Sequence, residues 1–401
     1  MARKPVSPRP KHRLARLREI QRRKMAASAH AYVRGATRQF YAWLADSAAK
    51  LPQGPSIWIC GDAHVGNLGP IADQDGHVAV QVRDLDHTVI GNPAHDLVRL
   101  ALSLASLARG SDLPGPTTAE MLEALLQGYR RGLSRPSLED DAAANSPRAV
   151  QSLLERSLRR RWKHLARERL DDPTPDIPLG KRFWRISAKE RAALTALVET
   201  PDVQRLVTAV SHRDDDARVH LLDAAYWVKG CSSLGRLRYA LVVGVENDDG
   251  RSGYCLLDIK EAIAPDAPHA STEMPSVHAA RVVAGAQALA PHLGERMRAL
   301  RLLNRSVFIR ELTPQDLKPD ISRMTRAEAV RITEYFAGVL GRAHGRQLRE
   351  DERKSWSRAL MRYRRTRGQA PAWLWNATVE LLGLHETGYL QHCRALLLDP
   401  A

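Results

Sequence analysis

Cysteine, aromatic residues and long apolar runs are all scarce in this chain of 401 residues. The four cysteines lie far apart and form no CxxC pair, which argues against a disulfide framework and against a zinc site. Aromatic residues make up only 5% of the chain, so few side chains are available to stack on nucleic-acid bases. No run of about 18 apolar residues occurs, and no segment is therefore expected to span a membrane. We predict a soluble protein of the reducing cytoplasm.

Positive charge is abundant and unevenly distributed. The 61 Lys and Arg residues exceed the 45 Asp and Glu residues, which gives a net charge of +16. Residues 1–24 alone carry ten basic residues and one acidic residue, a net +9, so only +7 belongs to the rest of the chain. This proline-punctuated stretch predicts a flexible basic tail, with nucleic acid or another polyanion as its expected partner. Two further basic clusters, in residues 156–167 and 353–367, are typical of solvated helix faces or of a phosphate-binding surface.

A β-hairpin is predicted after the first apolar helix, which the periodicity places over residues 26–49. Residues 56–60 (SIWIC) are typical of a short buried strand that enters the loop of residues 61–69 (GDAHVGNLG). A turn at residues 73–76 (DQDG) separates it from a second strand at residues 77–86 (HVAVQVRDLD). Both ends of the predicted hairpin carry acidic residues.

Oxygen-bearing side chains cluster around this predicted hairpin. Asp62 and Asn67 follow the first strand, Asp84 and Asp86 end the second, and Asp96 opens the next helix. Mg²⁺ that carries nucleotide phosphates prefers a few protein carboxylates completed by phosphate and water oxygens. One alternative is a turn-rich hairpin with helix-capping aspartates, Asp96 being the cap. A metallophosphoesterase is another, but its additional histidine motifs are missing late in the chain.

The block from residue 60 to residue 100 resembles the catalytic block of aminoglycoside phosphotransferase and choline kinase-like enzymes. In those enzymes HGDxHxxN precedes a hairpin, an acidic segment and GDPxxDLA. The resemblance implies that Asp62 is the catalytic base, that Asn67 and Asp84 are metal ligands assisted by Asp86, and that Asp96 braces the catalytic loop. His64 either orients this loop or caps a turn. Two departures are a cysteine at position 60, where the family has histidine, and an asparagine at position 92, where it has aspartate.

A second constellation follows the catalytic block, although kinases place it first. Residues 228–243 (VKGCSSLGRLRYALVV) predict two strands around a turn that contains Gly230, Ser233 and Gly235. Lys260 follows on another predicted strand, CLLDIKEA. A glycine turn that covers phosphates and a strand lysine that neutralises them are the parts of a kinase nucleotide site. The alternative for Lys260 is a solvent-facing strand lysine.

Motifs along most of the chain also resemble a bacterial family known as domain of unknown function 2252. They occur at residues 24–25 (KM), 34–36 (RGA), 61–69, 83–87, 260–262 (KEA), 281–287 (RVVAGAQ) and 308–318 (FIRELTPQDLK). Leu68, His87 and an additional alanine before Gln287 depart from the family pattern. The residue that pairs with Lys260 is left open.

Together the two resemblances imply an α+β, protein kinase-like, two-lobed fold in circularly permuted order with large helical additions. The expected divisions are a catalytic lobe at residues 25–215, a β-rich nucleotide lobe at 216–312 and C-terminal helices at 313–401 that pack on the catalytic lobe. Arg310 is expected beside the nucleotide. The implied function is an ATP- and Mg²⁺-dependent phosphotransferase with an unknown acceptor. AMP transfer, a catalytically silent kinase-like scaffold and a nucleic-acid-binding protein are the alternatives.

Overall fold

The computed structural model shows a mixed α/β protein. It describes residues 7–111, 113–137, 147–148, 150–152, 155, 176–210, 213–231, 234–247, 252–269, 273–313, 325–362 and 370–398. Ser233 and the basic cluster of residues 156–167 lie outside these ranges, as do residues 363–367 of the second basic cluster.

Four short strands lie within the predicted catalytic block or directly before it. They are β1 (Ile57–Ile59), β2 (Leu68–Ala72), β3 (Val78–Val82) and β4 (Val89–Gly91). The predicted pairing is wrong: β3 forms its hairpin with β2, not with β1, and β1 pairs antiparallel with β4. Strand β2 lies in a segment expected to be loop because glycine and proline interrupt it. Pro70 is tolerated because β2 has only one neighbour and loses no second ladder bond.

Helices enclose these strands. Within the described ranges, α1 (Arg13–Met25), α2 (Ala29–Gly35) and α3 (Thr37–Ser47) precede β1, and α4 (Pro93–Gly110) and α5 (Gly115–Ser134) follow β4. Asn92 caps α4, since its side chain accepts a hydrogen bond from the backbone N–H of Ala94, and Pro93 occupies the first turn. The alternative in which Asp96 is the cap is therefore wrong. Helix α4 is buried along nearly its whole length.

Strands between residues 183 and 312 form a six-stranded antiparallel sheet. Its strands are β5 (Phe183–Trp184), β6 (Arg218–Trp227), β7 (Arg238–Glu246), β8 (Ser252–Glu261), β9 (Met297–Leu302) and β10 (Arg305–Leu312), in the spatial order β5-β6-β7-β8-β10-β9. Alternate side chains face opposite sides. Tyr239, Leu241 and Val243 join a core with α6 (Ala188–Val198) and α7 (Pro201–Thr208), whereas Ala240 and Val242 face the other side.

In the part of the chain that the structure describes, two helices lie between β8 and β9, and three follow β10. The first pair is α8 (His278–Leu289) and α9 (Pro291–Glu295); the last three are α10 (Arg326–Gly345), α11 (Glu350–Leu360) and α12 (Ala372–Leu398). Buried side chains of α8, α10 and α12 share one hydrophobic core with α4, α5 and the four short strands. Among the residues that the structure describes, no helix combines the length and the apolar character needed to cross a membrane.

The prediction of a flexible tail over residues 1–24 is wrong for the part that α1 occupies. Arg13 is only 5% exposed and forms an ion pair with Glu190, with 2.5 Å between Nη1 and Oε1. Its guanidinium also lies 4.7 Å from the ring centre of Tyr226, and Leu17 enters the core of the sheet. A net charge does not show that one arginine has a buried partner far along the chain. Residues 1–6 lie outside the described part.

Candidate active site

The loop that follows β1 is held by the first turn of α4. One carboxylate oxygen of Asp96 accepts a hydrogen bond from the Cys60 N–H (2.7 Å) and the other from the Gly61 N–H (2.9 Å). Gly61 has a φ of +74°, and a Cβ at this position would lie 2.1 Å from the His87 carbonyl oxygen. Only glycine fits this turn. His344 of α10 is buried, with its Nε2 3.2 Å from Asp96 Oδ2.

Asp62 lies at the centre of this loop and is 7% exposed. The Nε of Arg99 donates to Asp62 Oδ1 at 2.8 Å. Burial opposes ionisation of Asp62, but the positive charge of Arg99 outweighs it and holds the pKa of this carboxyl below its ordinary value. Asp62 is therefore ionised at neutral pH.

Sequence reasoning assigned no role to Arg99. The residue is fully buried in α4 and donates through Nη2 to the Val33 carbonyl oxygen at 2.7 Å. The available signal was one arginine within the otherwise apolar helix sequence DLVRLALSLASLA, since a buried charge requires a partner.

His64 lies beside Asp62, with its Nε2 4.0 Å from Asp62 Oδ2. Burial lowers the pKa of His64 to about 3, even though Asp62 favours the charged form. The imidazole is therefore neutral at pH 7 and supplies no positive charge to the loop.

Asn67 connects this loop to the segment after β3. Its Nδ2 donates to the Asp84 carbonyl oxygen at 2.7 Å, and the residue is 3% exposed. The Asp84 side chain, in contrast, is 54% exposed. Desolvation by the surrounding protein favours its neutral form, but Lys260, Arg310 and Arg238 outweigh this effect and hold the pKa of Asp84 well below its ordinary value. Asp84 thus presents an ionised, solvent-accessible carboxylate.

Lys260, on β8, contacts the two acids that end this segment. Its Nζ donates to Asp84 Oδ1 at 3.2 Å and forms a closer ion pair with Asp86 Oδ2. Lys260 is 3% exposed, so the alternative of a solvent-facing strand lysine is wrong. Helix α8 (HAARVVAGAQAL) contains no acidic residue. Asp86 is therefore the buried partner of Lys260 that sequence reasoning left open.

Arginines complete the wall of the cleft on the sheet side. Arg238 forms a two-point ion pair with the fully buried Asp258, at 2.8 and 2.5 Å. Arg310 donates to the same carboxylate at 3.1 Å through Nη2 and to the Arg83 carbonyl oxygen at 3.0 Å through Nη1. Arg310, predicted beside the nucleotide, therefore links β8 to the chain that leads into Asp84.

The glycine turn between β6 and β7 is described at Gly230 and Gly235. Their φ angles, +99° and +101°, lie in the left-handed region that favours glycine. Lys24 of α1 donates from Nζ to the Gly230 carbonyl oxygen at 3.0 Å. The start of the chain thus lies against the turn.

The residues around Asp84 fit a divalent cation that carries phosphates. Asp84 offers an ionised, half-exposed carboxylate, and within the described residues no group hydrogen-bonds the buried Oδ1 of Asp86. Hard oxygen donors of this kind suit Mg²⁺. A separate acidic group, Asp73 with Asp75 and His77, lies at the β2–β3 turn. The Asp73 carboxylate accepts hydrogen bonds from the backbone N–H groups of Asp75 and His77, which is typical of an aspartate that caps a turn.

Comparison with known proteins identifies a family. Residues 13–395 match the family model described as an uncharacterized protein conserved in bacteria, domain of unknown function 2252, and the chain belongs to this family. No curated protein and no solved structure matches the chain.

Proposed function

We propose that this member of the bacterial family is a Mg²⁺-dependent, ATP-using phosphotransferase with a kinase-like fold in permuted order. The observation that carries the proposal is the contact between Lys260 and Asp84. These residues are 176 positions apart in the chain, yet Nζ and Oδ1 lie 3.2 Å apart. A kinase needs its strand lysine and its metal-binding aspartate at the same phosphates.

The order of elements around Lys260 also supports the proposal. Strands β6 and β7 flank the glycine turn, β8 carries the lysine, and α8 follows before β9 and β10. A kinase nucleotide lobe contains a glycine-rich hairpin, then a lysine strand, then a helix in the same order. In this chain the lobe follows the catalytic block, which circular permutation of a compact fold permits.

The chain's own residues then have distinct tasks. Lys260 neutralises nucleotide phosphates, and Asp84 with the Asn67 amide oxygen would hold Mg²⁺, with Asp86 assisting. The metal, when bound, supplies positive charge to the phosphate oxygens. Asp62 orients the acceptor hydroxyl and receives its proton as the new O–P bond forms and the bond to the ADP leaving group breaks. Because Arg99 lowers the pKa of Asp62, the carboxylate is a weak base. It therefore acts more by orienting the acceptor hydroxyl than by drawing away its proton.

Turnover of ATP by wild type and Asp62→Asn tests the proposal. Wild type is expected to hydrolyse ATP slowly with water as the acceptor and to stop when EDTA removes Mg²⁺. Asp62→Asn should reduce turnover by about 100-fold or more, the range of a lost general base, while its affinity for Mg-ATP changes little. Asp202→Asn is the matched control, since Asp202 is 54% exposed on α7.

Two results would contradict the assignment. One is wild-type turnover that persists in EDTA, which would remove the metal from the reaction. The other is equal turnover by Asp62→Asn and Asp202→Asn, which would remove Asp62 from it. Production of pyrophosphate instead of ADP would identify AMP transfer, which requires nearly the same residues.

A further inference from the structure

A cavity of about 470 Å³ opens at the glycine turn, next to α1 and α2. Its lining includes Lys24, Arg34, Arg182, Trp227, Lys229 and Cys231. Four of these residues are basic and, among the described residues that line the cavity, none is acidic. Its volume is in the range of small-molecule sites. We call it the cationic pocket.

The cationic pocket adjoins the catalytic loop through Arg34. The space that a Cβ on Gly66 would fill lies 3.1 Å from the Arg34 Cζ. The Arg34 Nε is buried and, within the described part of the chain, its N–H donates to no hydrogen-bond acceptor. Burial raises the pKa of the Cys231 thiol, the positive charges of Arg34 and Lys24 oppose this rise, and the negative charge of Asp62 adds to it. The pocket therefore lies next to the loop that carries Asp62.

The proposed nucleotide anchor, Lys260, is not among the pocket's cations. Lys260 does not line the pocket, and its ammonium is paired with Asp84 and Asp86. Lys229 lies over the ring of Trp227, with its Nζ 4.0 Å from the ring centre. This cation–π contact stabilises the ammonium beside an apolar wall. An arginine and a lysine beside an apolar wall are typical of recognition of a phosphate group on a small molecule.

We propose that the cationic pocket binds the anionic group of the acceptor, a small molecule that already carries a phosphate monoester, and thereby places its hydroxyl at Asp62. This inference rests on the proposed function, because it names the substrate class of the same site. Lys24 contributes by holding the Gly230 carbonyl at the edge of the pocket. The acceptor thus uses Arg34 and Lys229, and the nucleotide uses Lys260.

Ligand-observed NMR titration with glycerol 3-phosphate tests the pocket, with glycerol as the neutral comparison. Full-length wild type should bind glycerol 3-phosphate and not glycerol. Arg34→Gln and Lys229→Gln should each weaken this binding about tenfold or more, as expected for loss of a charge-assisted hydrogen bond. Arg205→Gln and Lys354→Gln are matched controls on exposed helix surfaces, at 72% and 70% exposure. Both controls should bind as wild type does.

Calorimetric titration with Mg-ADP separates the pocket from the nucleotide site. Arg34→Gln and Lys229→Gln should keep wild-type affinity for Mg-ADP, whereas Lys260→Met should lose it and still bind glycerol 3-phosphate. Equal binding of glycerol 3-phosphate by the pocket variants and the controls would overturn the inference, as would loss of Mg-ADP affinity in the pocket variants. Failure of wild type to bind Mg-ADP while phosphate binding persists would overturn the proposed function and leave the pocket supported.

Discussion

The pair of Asp62 and Arg99 shows how single residues define the candidate active site. Both are almost fully buried, and each supplies the charge that the other needs. Removing one partner of a buried pair leaves an uncompensated charge in the interior, which costs about 3 to 5 kcal/mol. The pair therefore has a structural effect that can be measured apart from catalysis.

Arg99→Met is expected to destabilise the protein by about 3 kcal/mol or more at pH 7. In wild type the pKa of Asp62 is lowered, so its contribution to stability is present above the unfolded-state pKa and is lost as pH falls through the folded-state value. Without Arg99, burial raises the pKa of Asp62. Protonation of Asp62 at acid pH then removes the uncompensated buried charge from the variant. The difference in free energy of unfolding between wild type and variant should therefore shrink between pH 7 and pH 4.5.

Urea unfolding at the two pH values measures this difference. Arg205→Met, which removes an exposed arginine on α7, is the control and should cost less than about 1 kcal/mol at both. A constant difference for Arg99→Met across this pH range would show that Asp62 does not depend on Arg99 for its charge.

At the scale of elements, strand types could be predicted better than strand partners. The strand that carries Lys260 and the turn at Gly230 follow from apolar runs and glycine spacing. The pairing of β1 with β4 cannot be predicted in this way, because the paired residues, such as Ile57 and Gly91, lie far apart in the sequence. Strand β2 was not predicted, because its glycine and proline are typical of a loop. Its residues are all buried, and their packing in the core overrides this local preference.

Helix α1 allows an element-scale test. Arg13→Ala should lower the free energy of unfolding by about 3 to 5 kcal/mol, because Glu190 would be left buried without its cation. Arg16→Ala is the control on the same helix, since Arg16 is 54% exposed in its pair with Glu19. It should cost less than about 1 kcal/mol. Equal, small losses for both variants in urea unfolding would mean that α1 does not pack on the sheet.

At the scale of the whole molecule, buried neutral histidines predict acid sensitivity. Burial lowers the pKa of His385 and of His30 to about 4, and that of His64 to about 3. The unfolded chain takes up these protons near pH 6.5, but the folded chain does not. Stability is therefore fully present above pH 6.5 and falls as pH decreases toward 4.

His385→Leu should reduce this loss. Wild type is expected to lose about 2 kcal/mol more than the variant between pH 7.5 and pH 5, because the leucine takes up no proton in either state. Urea unfolding of both proteins across this range provides the measurement. Parallel stability profiles would rule out His385 as a source of the acid sensitivity.

The whole molecule also shows where prediction from the sequence stops. The acids of the catalytic block and Lys260 are recognisable by residue type and spacing. Their contact depends on the packing of the sheet against the four short strands, which no local pattern encodes. Arg99, Asp258 and the Asp86 partnership were missed for the same reason, since each depends on a partner supplied by another element.

The most direct measurement of the central claim is calorimetric titration of ATP into wild type and Asp84→Ala, with and without Mg²⁺. We predict that Mg²⁺ strengthens ATP binding to wild type and that Asp84→Ala loses this dependence, because the half-exposed carboxylate of Asp84 lies beside Lys260, the proposed phosphate anchor. Asp202→Ala, which removes an exposed carboxylate on α7, should behave as wild type does. Mg²⁺-dependent ATP binding by Asp84→Ala equal to that of wild type would contradict the assignment of this cleft as a nucleotide site.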